Sequence, residues 1–211
     1  VISGGHSEFI LMGDWGVYER LGFKIDDAAG ECLDKIGRML GLGYPAGSVI
    51  EDFAKKGDAS KYEFPLPMTQ SGDFNLSFSG LKTFARNLIK QLEDENDSQL
   101  SKQQIYDICA SAQKGVFRHI SHKLEKVLAE YKVKEIWLGG GVAANVELKK
   151  VLKVMENTHG LKFRTPFEKK LCSDNAAMIG IVGGQKLLRG DIETDLEKVD
   201  RKPRWKIGEE I

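Results

Sequence analysis

The sequence is poor in the features that mark several protein classes. It has 5 prolines and 3 cysteines in 211 residues, and 31 basic and 31 acidic side chains give a formal net charge of zero. Few prolines together with 41% hydrophobic residues exclude collagenous and disordered chains. The balanced charge provides no overall attraction to nucleic acid or to an anionic membrane, so either partner would need a local patch.

The three cysteines and the lengths of the apolar runs indicate the cellular compartment in which the protein is expected. Cys32, Cys109 and Cys172 are widely spaced without a C-x-x-C pair, which favours neither a disulfide framework nor a thiolate zinc site and predicts a reducing, cytoplasmic compartment. Apolar runs fall short of the roughly 18 residues that span a bilayer, and the start does not resemble a signal peptide. The chain starts at Val1, as though inside a strand, which predicts a piece of a longer protein.

Three common catalytic signatures are also lacking. The sequence contains no Walker A lysine motif, no G-x-S-x-G elbow and no H-E-x-x-H pair. P-loop, serine-hydrolase and zinc-protease interpretations therefore have no support from motifs.

The pattern of apolar residues predicts a hairpin, then helices, then parallel βα units. Strands over 9–12 and 17–23 flank a turn, with Val1-Ile2 as a third strand. Helices are predicted over 26–42, 49–56 and 81–92, with a short strand at 73–78 and an acidic loop at 93–98. Ser101 and Gln104 form a capping box before a helix reaching about residue 131. A strand at 133–138, a helix at 143–155, a strand at 161–165 and a helix at 176–188 follow.

This order predicts an α/β fold. Antiparallel strands followed by a right-handed parallel crossover describe the ribonuclease-H-like half of an actin-like ATPase fold. We expect residues 1–190 to form this lobe, with a helical insertion at about 48–131, and residues 191–211 to form a C-terminal tail.

Two glycine-rich turns are candidate ligand sites. Gly139, Gly140 and Gly141 stand between a strand and a helix, where backbone N–H groups can approach a nucleotide, although an ordinary glycine turn is the commoner explanation of this motif alone. Asn145 offers an amide that can both donate to and accept from a purine. Ser3-Gly4-Gly5-His6-Ser7 is a second turn, which suits either an anion or a simple hairpin.

Several acids and histidines have alternative explanations. Asp34 is a weak candidate for a sugar ligand and is preferred over its neighbour Glu31. Asp174 either caps the last helix or holds a metal next to phosphate. His119 and His122 are spaced like a metal pair, but their position beside the apolar stripe predicts solvated surface histidines.

Taken together, five segments resemble the TsaD family, the bacterial branch in particular. They are Ser3 to His6, DDAAGECLDK at 26–35, DFNLSFSGLKT at 73–83, GGGVAAN at 139–145 and LCSDNAAMIG at 171–180. The resemblance extends to about residue 206, ending in Pro203-Arg204-Trp205. It implies transfer of a threonylcarbamoyl group from threonylcarbamoyl-adenylate to N6 of adenosine 37 in tRNAs that read ANN codons, with TsaB and TsaE as partner subunits.

The resemblance also implies roles for individual residues. Ile2, Ser3, Gly4 and Gly5 match the loop that contacts the adenylate, Asp34 and Gly47 match sugar contacts, and Asn145 matches the base contact. An ATP- or ADP-like ligand fits the same place. Asp174 matches the carboxylate ligand of one iron or zinc ion, which would polarise the mixed anhydride. No general base is implied, and Ser79 and Lys82 of the signature have no assigned role.

This sequence departs from the family at the metal site. The two histidine ligands and the first actin-like lobe are not in this chain, and His119 and His122 have the wrong spacing to replace them. We therefore expect residues 1–211 to be inactive alone. A metabolite kinase of the same superfamily and a non-catalytic partner subunit are alternatives. A metalloprotease, suggested by the older name glycoprotease, does not fit a sequence without H-E-x-x-H.

Overall fold

The computed structural model describes residues 1–95, 99–201 and 205–208. In chain order, the strands are β1 (Glu8–Met12), β2 (Tyr18–Phe23), β3 (Glu135–Trp137) and β4 (Lys162–Arg164). The α-helices are α1 (Ala29–Met39), α2 (Gly47–Ala54), α3 (Ser79–Glu95), α4 (Lys102–Glu130), α5 (Val146–His159) and α6 (Ala176–Leu188). Short 3-10 helices occupy Gly141–Ala144, Lys169–Leu171 and Leu196–Lys198.

Two strand pairs are joined side by side through the start of the chain. β1 pairs antiparallel with β2, and β3 pairs parallel with β4. Val1-Ile2 lies between the pairs, because Glu8 N donates to Val1 O at 2.9 Å and Ile2 N donates to Gly139 O at 2.8 Å. The hairpin and the parallel crossover are confirmed. The predicted strand at 73–78 is wrong, since only Leu76 forms a bridge, with Lys24.

The helices pack their apolar stripes into one core. On α1, Cys32, Leu33 and Ile36 are buried, and α4 contributes a continuous buried stripe. The capping box before α4 is confirmed, since Ser101 Oγ accepts from Gln104 N at 3.2 Å and Gln104 Oε1 accepts from Ser101 N at 2.8 Å.

Several helix boundaries differ from the prediction: α1 spans Ala29–Met39 instead of residues 26–42, α2 spans Gly47–Ala54 instead of 49–56, and α5 continues to His159. α3 continues to Glu95, so residues 93–95 are helical rather than loop, and residues 96–98 lie outside the described part of the chain. α5 begins at Val146 instead of residue 143, because Gly141–Ala144 tightens into a 3-10 helix and Asn145 becomes the cap of α5. Pro203 and Arg204 of the closing motif also lie outside the described residues.

Helix α6 is apolar and exposed. Ile179 is 72% and Leu188 is 81% exposed. A Cβ built at Gly180, Gly183 or Gly184 would meet nothing within 4 Å, so the glycine face of this helix is not closely packed within the described residues. An apolar helix is ordinarily buried, so α6 forms an exposed hydrophobic surface.

The three cysteines are free and buried. Burial raises the pKa of the Cys32 and Cys109 thiols to about 12, which removes both as nucleophiles at neutral pH. Among the described helices, none combines the length and the apolar character needed to cross a membrane.

Candidate functional site

The Ser3–Ser7 turn is closed by the side chain of its own first residue. Ser3 Oγ accepts hydrogen bonds from Gly5 N at 3.2 Å and His6 N at 2.9 Å, and Ser3 N donates to His6 O at 2.7 Å. A Cβ built on Gly4 or Gly5 would meet nothing within 4 Å. Both glycines are exposed, so their backbone is open to a ligand.

The triple-glycine turn lies directly against Ile2, which leads into this first turn and forms only an isolated bridge with Ser7, so the prediction of a third strand at Val1-Ile2 is wrong. Besides the bond from Ile2 N to Gly139 O, Val142 N donates to Ile2 O at 3.1 Å. Gly140 has a φ of 99°, and a Cβ there would come within 2.3 Å of Ile2 O. Gly140 is therefore required by close backbone packing. The two glycine turns, 136 residues apart in sequence, are neighbours in space.

Asp34 and Gly47 are also brought together. Asp34 Oδ1 accepts from Ala46 N and from Gly47 N, both at 2.8 Å, so this carboxylate from α1 binds the first N–H groups of α2. Asp34 is half-buried. A carboxylate at a helix N-terminus stabilises the helix, so this contact alone accounts for the pair.

The nearby Glu31 is engaged elsewhere. Its carboxylate accepts from Ala28 N at 3.2 Å and pairs with Lys35 Nζ at 2.8 Å. The lysine side chain lowers the pKa of Glu31 more than any other neighbour.

Asn145 is 6% exposed, and its amide is already used by the protein. The oxygen Oδ1 caps α5 by accepting from Glu147 N at 2.9 Å and Leu148 N at 3.2 Å. Nδ2 donates to Gln113 Oε1 at 2.8 Å. The sequence predicts that this amide offers a purine both a donor and an acceptor. Because Oδ1 already accepts from the backbone of α5, only one N–H of Nδ2 remains for a ligand.

Asp174 is exposed at the start of α6, near the triple-glycine turn. The helix is capped by Asn175, whose Oδ1 accepts from Met178 N at 3.3 Å, so the alternative interpretation of Asp174 as the cap is wrong. The residue before it, Ser173, approaches the turn, because a Cβ on Gly141 would lie 3.6 Å from Ser173 Oγ. Asp174 thus follows a residue that lies beside Gly141, and it makes no hydrogen bond or ion pair with the Ser3–Ser7 turn among the described residues.

The described residues do not fit a metal ion by themselves. They contain no group of three histidine, cysteine, aspartate or glutamate residues close enough to hold one. Asp174 would supply a single carboxylate, whereas structural and catalytic sites use three or four protein ligands.

His119 is fully buried, so the prediction of a solvated surface histidine is wrong. Its Nε2 accepts a hydrogen bond from Ser77 N at 3.1 Å, and its ring packs edge-on against Phe78 with centroids 5.3 Å apart. Burial, and then the charge of Lys123, lowers the pKa of His119 to about 4. This neutral imidazole is a structural acceptor for the backbone of residue 77.

The described residues also form a cavity of about 720 Å³ between α2, α4 and α5. Glu51, Gln113, Phe117 and Val146 line it. It does not include the glycine turns, but its wall contains Gln113 and Val146, the partner and the chain neighbour of Asn145. The cavity therefore lies next to Asn145.

Comparison with known families identifies a family that this chain matches. The family model "TsaD: tRNA N6-adenosine threonylcarbamoyltransferase" matches residues 1–181. The curated enzyme of that name from Agrobacterium fabrum is 39% identical over 215 residues, which cover 98% of this chain and 57% of the relative. The one from Sinorhizobium medicae is 36% identical and matches 100% of this chain and 58% of the relative. The chain spans a little over half the length of these relatives.

Solved structures show the fold. The activator of the 2-hydroxyisocaproyl-CoA dehydratase from Clostridium difficile, with bound ADPNP, superimposes with a TM-score of 0.51 and 18% identity. The match covers 92% of this chain and 62% of that one. Component A of an Acidaminococcus fermentans dehydratase gives a TM-score of 0.45 over 82% of this chain. The α/β, actin-like ATPase fold expected from the sequence is confirmed.

Proposed function

The chain belongs to the TsaD family of tRNA N6-adenosine threonylcarbamoyltransferases, and from that premise we propose that it binds the adenylate substrate of the threonylcarbamoyl transfer. The acceptor is N6 of adenosine 37 in tRNAs that read ANN codons. The observation that carries the proposal is the contact of the two glycine turns across Ile2, which places two runs of backbone N–H groups side by side. TsaB and TsaE are the proposed partner subunits and the cytoplasm the proposed compartment.

The phosphate of the adenylate lies against the Ser3–Ser7 turn. Gly4 N makes no hydrogen bond to another described residue, and the space beside Gly4 and Gly5 is open. Backbone donors in such a turn bind anions without a charged side chain. A phosphate at this point would complete the hydrogen bonding of the turn.

The sugar and the base extend from there toward α2 and α5. Asp34 has a second carboxylate oxygen to accept from the ribose hydroxyls, while its Oδ1 holds the start of α2. Asn145 keeps one N–H to donate to a purine nitrogen. The cavity beside Asn145 gives the base room, because its volume is within the range of ordinary ligand pockets.

The chemistry requires little from side chains once the substrates are positioned. The N6 amine of adenosine attacks the carbonyl carbon of the mixed anhydride, a C–N bond forms, the C–O bond to the phosphate breaks, and AMP leaves while the amine proton passes to solvent. The turn's N–H groups stabilise the negative charge on the departing phosphate. Orientation of the amine against the carbonyl supplies the remaining acceleration. No step is assigned to a metal, because Asp174 alone does not form its site.

The binding test uses AMP and amide NMR spectra of this chain. We expect AMP to shift the Gly4, Gly5 and Gly141 signals, and adenosine without the phosphate to leave Gly4 and Gly5 in place. Gly4→Ala is expected to abolish the response, because the methyl group occupies the open space where the anion approaches. Gly72→Ala is the matched control, since a Cβ there also meets nothing within 4 Å. Equal AMP binding by both variants would refute the site.

The chain is proposed to bind the adenylate but not to complete the transfer alone. Gly4, Gly5, Gly141 and Asp174 are exposed, and a ligand bound on one open side loses much of its affinity. The measurement is formation of threonylcarbamoyladenosine in tRNA by the purified chain. Robust formation would show that the described residues suffice for catalysis.

A further inference from the structure

The structure joins two segments of the sequence that lie outside the proposed ligand site. The first contains the acids Asp26 and Asp27, and the second is the signature SFSGLKT at 77–83. Asp26 accepts four hydrogen bonds: from Ser77 Oγ at 2.6 Å, Phe78 N at 2.8 Å, Ser79 N at 3.3 Å and Ser79 Oγ at 2.6 Å. Its pKa is lowered, because these hydrogen bonds outweigh the desolvation that raises it. Asp26 is therefore an ionised side chain that caps α3 from a distant part of the chain.

Asp27 links α1 to α3 through two lysines. Its oxygens lie 2.6 Å from Lys35 Nζ on α1 and 2.7 Å from Lys82 Nζ on α3. The Asp27 side chain is 13% exposed, so these pairs are only weakly screened by solvent. Ser77, Ser79 and Lys82, which had no role on sequence grounds, thus all bind the two acids.

The two acids lie in the middle of a segment that holds the Ser3–Ser7 turn at both ends. On one side, Lys24 N donates to Ser7 O at 2.8 Å. On the other, Ala29 N donates to Ser7 Oγ at 2.9 Å and Gly30 N donates to Ser3 O at 3.2 Å. We refer to residues 24–30 as the clamp. The clamp packs closely against the Ser3–Ser7 turn, since a Cβ on Gly30 would come within 2.8 Å of Ser3 O.

We propose that Asp26 and Asp27 are positioning residues, which fix the clamp to α3 and thereby hold the Ser3–Ser7 turn in the conformation that binds a phosphate. Neither acid touches the ligand. The inference about affinity rests on the function proposed above, whereas the inference about the conformation of the turn does not. A purely structural role would lower stability without changing the turn.

The experiment compares Asp26→Asn with Asp73→Asn. Asp73 is the matched control because it also accepts several side-chain bonds, from Ser71 at 2.9 Å, Asn75 at 2.8 Å and Lys123 at 3.4 Å, and none of these partners belongs to the clamp. The readouts are the amide NMR signals of Gly4 and Gly5 without ligand, the affinity for AMP, and the urea midpoint. Ser79→Ala, which removes one of the four bonds, replaces Asp26→Asn if that variant does not fold.

We expect Asp26→Asn to move the Gly4 and Gly5 signals and to weaken AMP binding about tenfold, a loss equal to one ordinary hydrogen bond to a charge. Asp73→Asn is expected to lower the urea midpoint but to keep the signals and the affinity. Unchanged Gly4 and Gly5 signals in Asp26→Asn would overturn the proposal. If the wild-type chain does not bind AMP, the proposed function fails, and the signals in the free protein still decide the role of the clamp.

Discussion

Lowering the pH from 7 to 5 is expected to destabilise the protein through His119. The imidazole is fully buried, its Nε2 accepts from Ser77 N, and Lys123 adds a nearby positive charge. Nδ1 then carries the ring proton, and it is buried without a partner among the described residues. Protonation of Nε2 would break the bond to Ser77 and place a second charge beside Lys123, so the folded state resists it.

The magnitude follows from the difference in pKa between the two states. His119 has a pKa of about 4 when folded, against about 6.5 in an unfolded chain. Its contribution is fully present above about pH 6.5 and is lost as the pH falls toward 4, because only the unfolded state takes up the proton in that window. Between pH 7 and pH 5 the loss is about 2 kcal/mol.

The assay is urea unfolding at both pH values for the wild-type chain and for His119→Gln, whose amide oxygen can replace the acceptor without titrating. We expect the variant to be less stable at pH 7 but to lose about 2 kcal/mol less than the wild type on acidification. His6→Gln, which removes an imidazole from the surface, is expected to keep the wild-type dependence. Equal pH dependence of the wild type and His119→Gln would refute the buried, neutral histidine.

Two further predictions concern the backbone. Gly140→Ala is expected to lower the free energy of unfolding by on the order of 3 kcal/mol, because φ is 99° and the methyl group would overlap Ile2 O. Gly141→Ala is the control and should be nearly neutral. Urea unfolding measures both variants, and equal losses would contradict the contact between Gly140 and Ile2. Ser101→Ala removes the side-chain acceptor at the start of α4 and is expected to lower the free energy of unfolding by about 1 kcal/mol in the same assay. The Gln104 amide should also lose its protection from hydrogen exchange. A protected Gln104 amide in the variant would contradict the cap.

Part of the candidate site could be anticipated from local sequence. Glycine runs between a strand and a helix are open to ligands for reasons visible within a few residues, and the structure indeed brings the Ser3–Ser7 and 139–141 turns together. The clamp was missed. Acids at the start of a helix, such as Asp26 and Asp27 before α1, are sufficiently explained by the helix dipole, whereas their partners at 77–82 lie some 50 residues away. The only signal was an unexplained group of polar residues, Ser77, Ser79 and Lys82.

The amino-acid sequence by itself determined the helices, the hairpin, the parallel crossover and the family, because apolar spacing, capping residues and motif order are local or linear properties. The tertiary structure decided how polar side chains are used. His119 faces Ser77 across 42 residues, and Asn145 faces Gln113 across 32. A buried polar atom is bound by whichever partner the packing of distant helices brings within about 3 Å, and helical or strand periodicity contains no information on that distance.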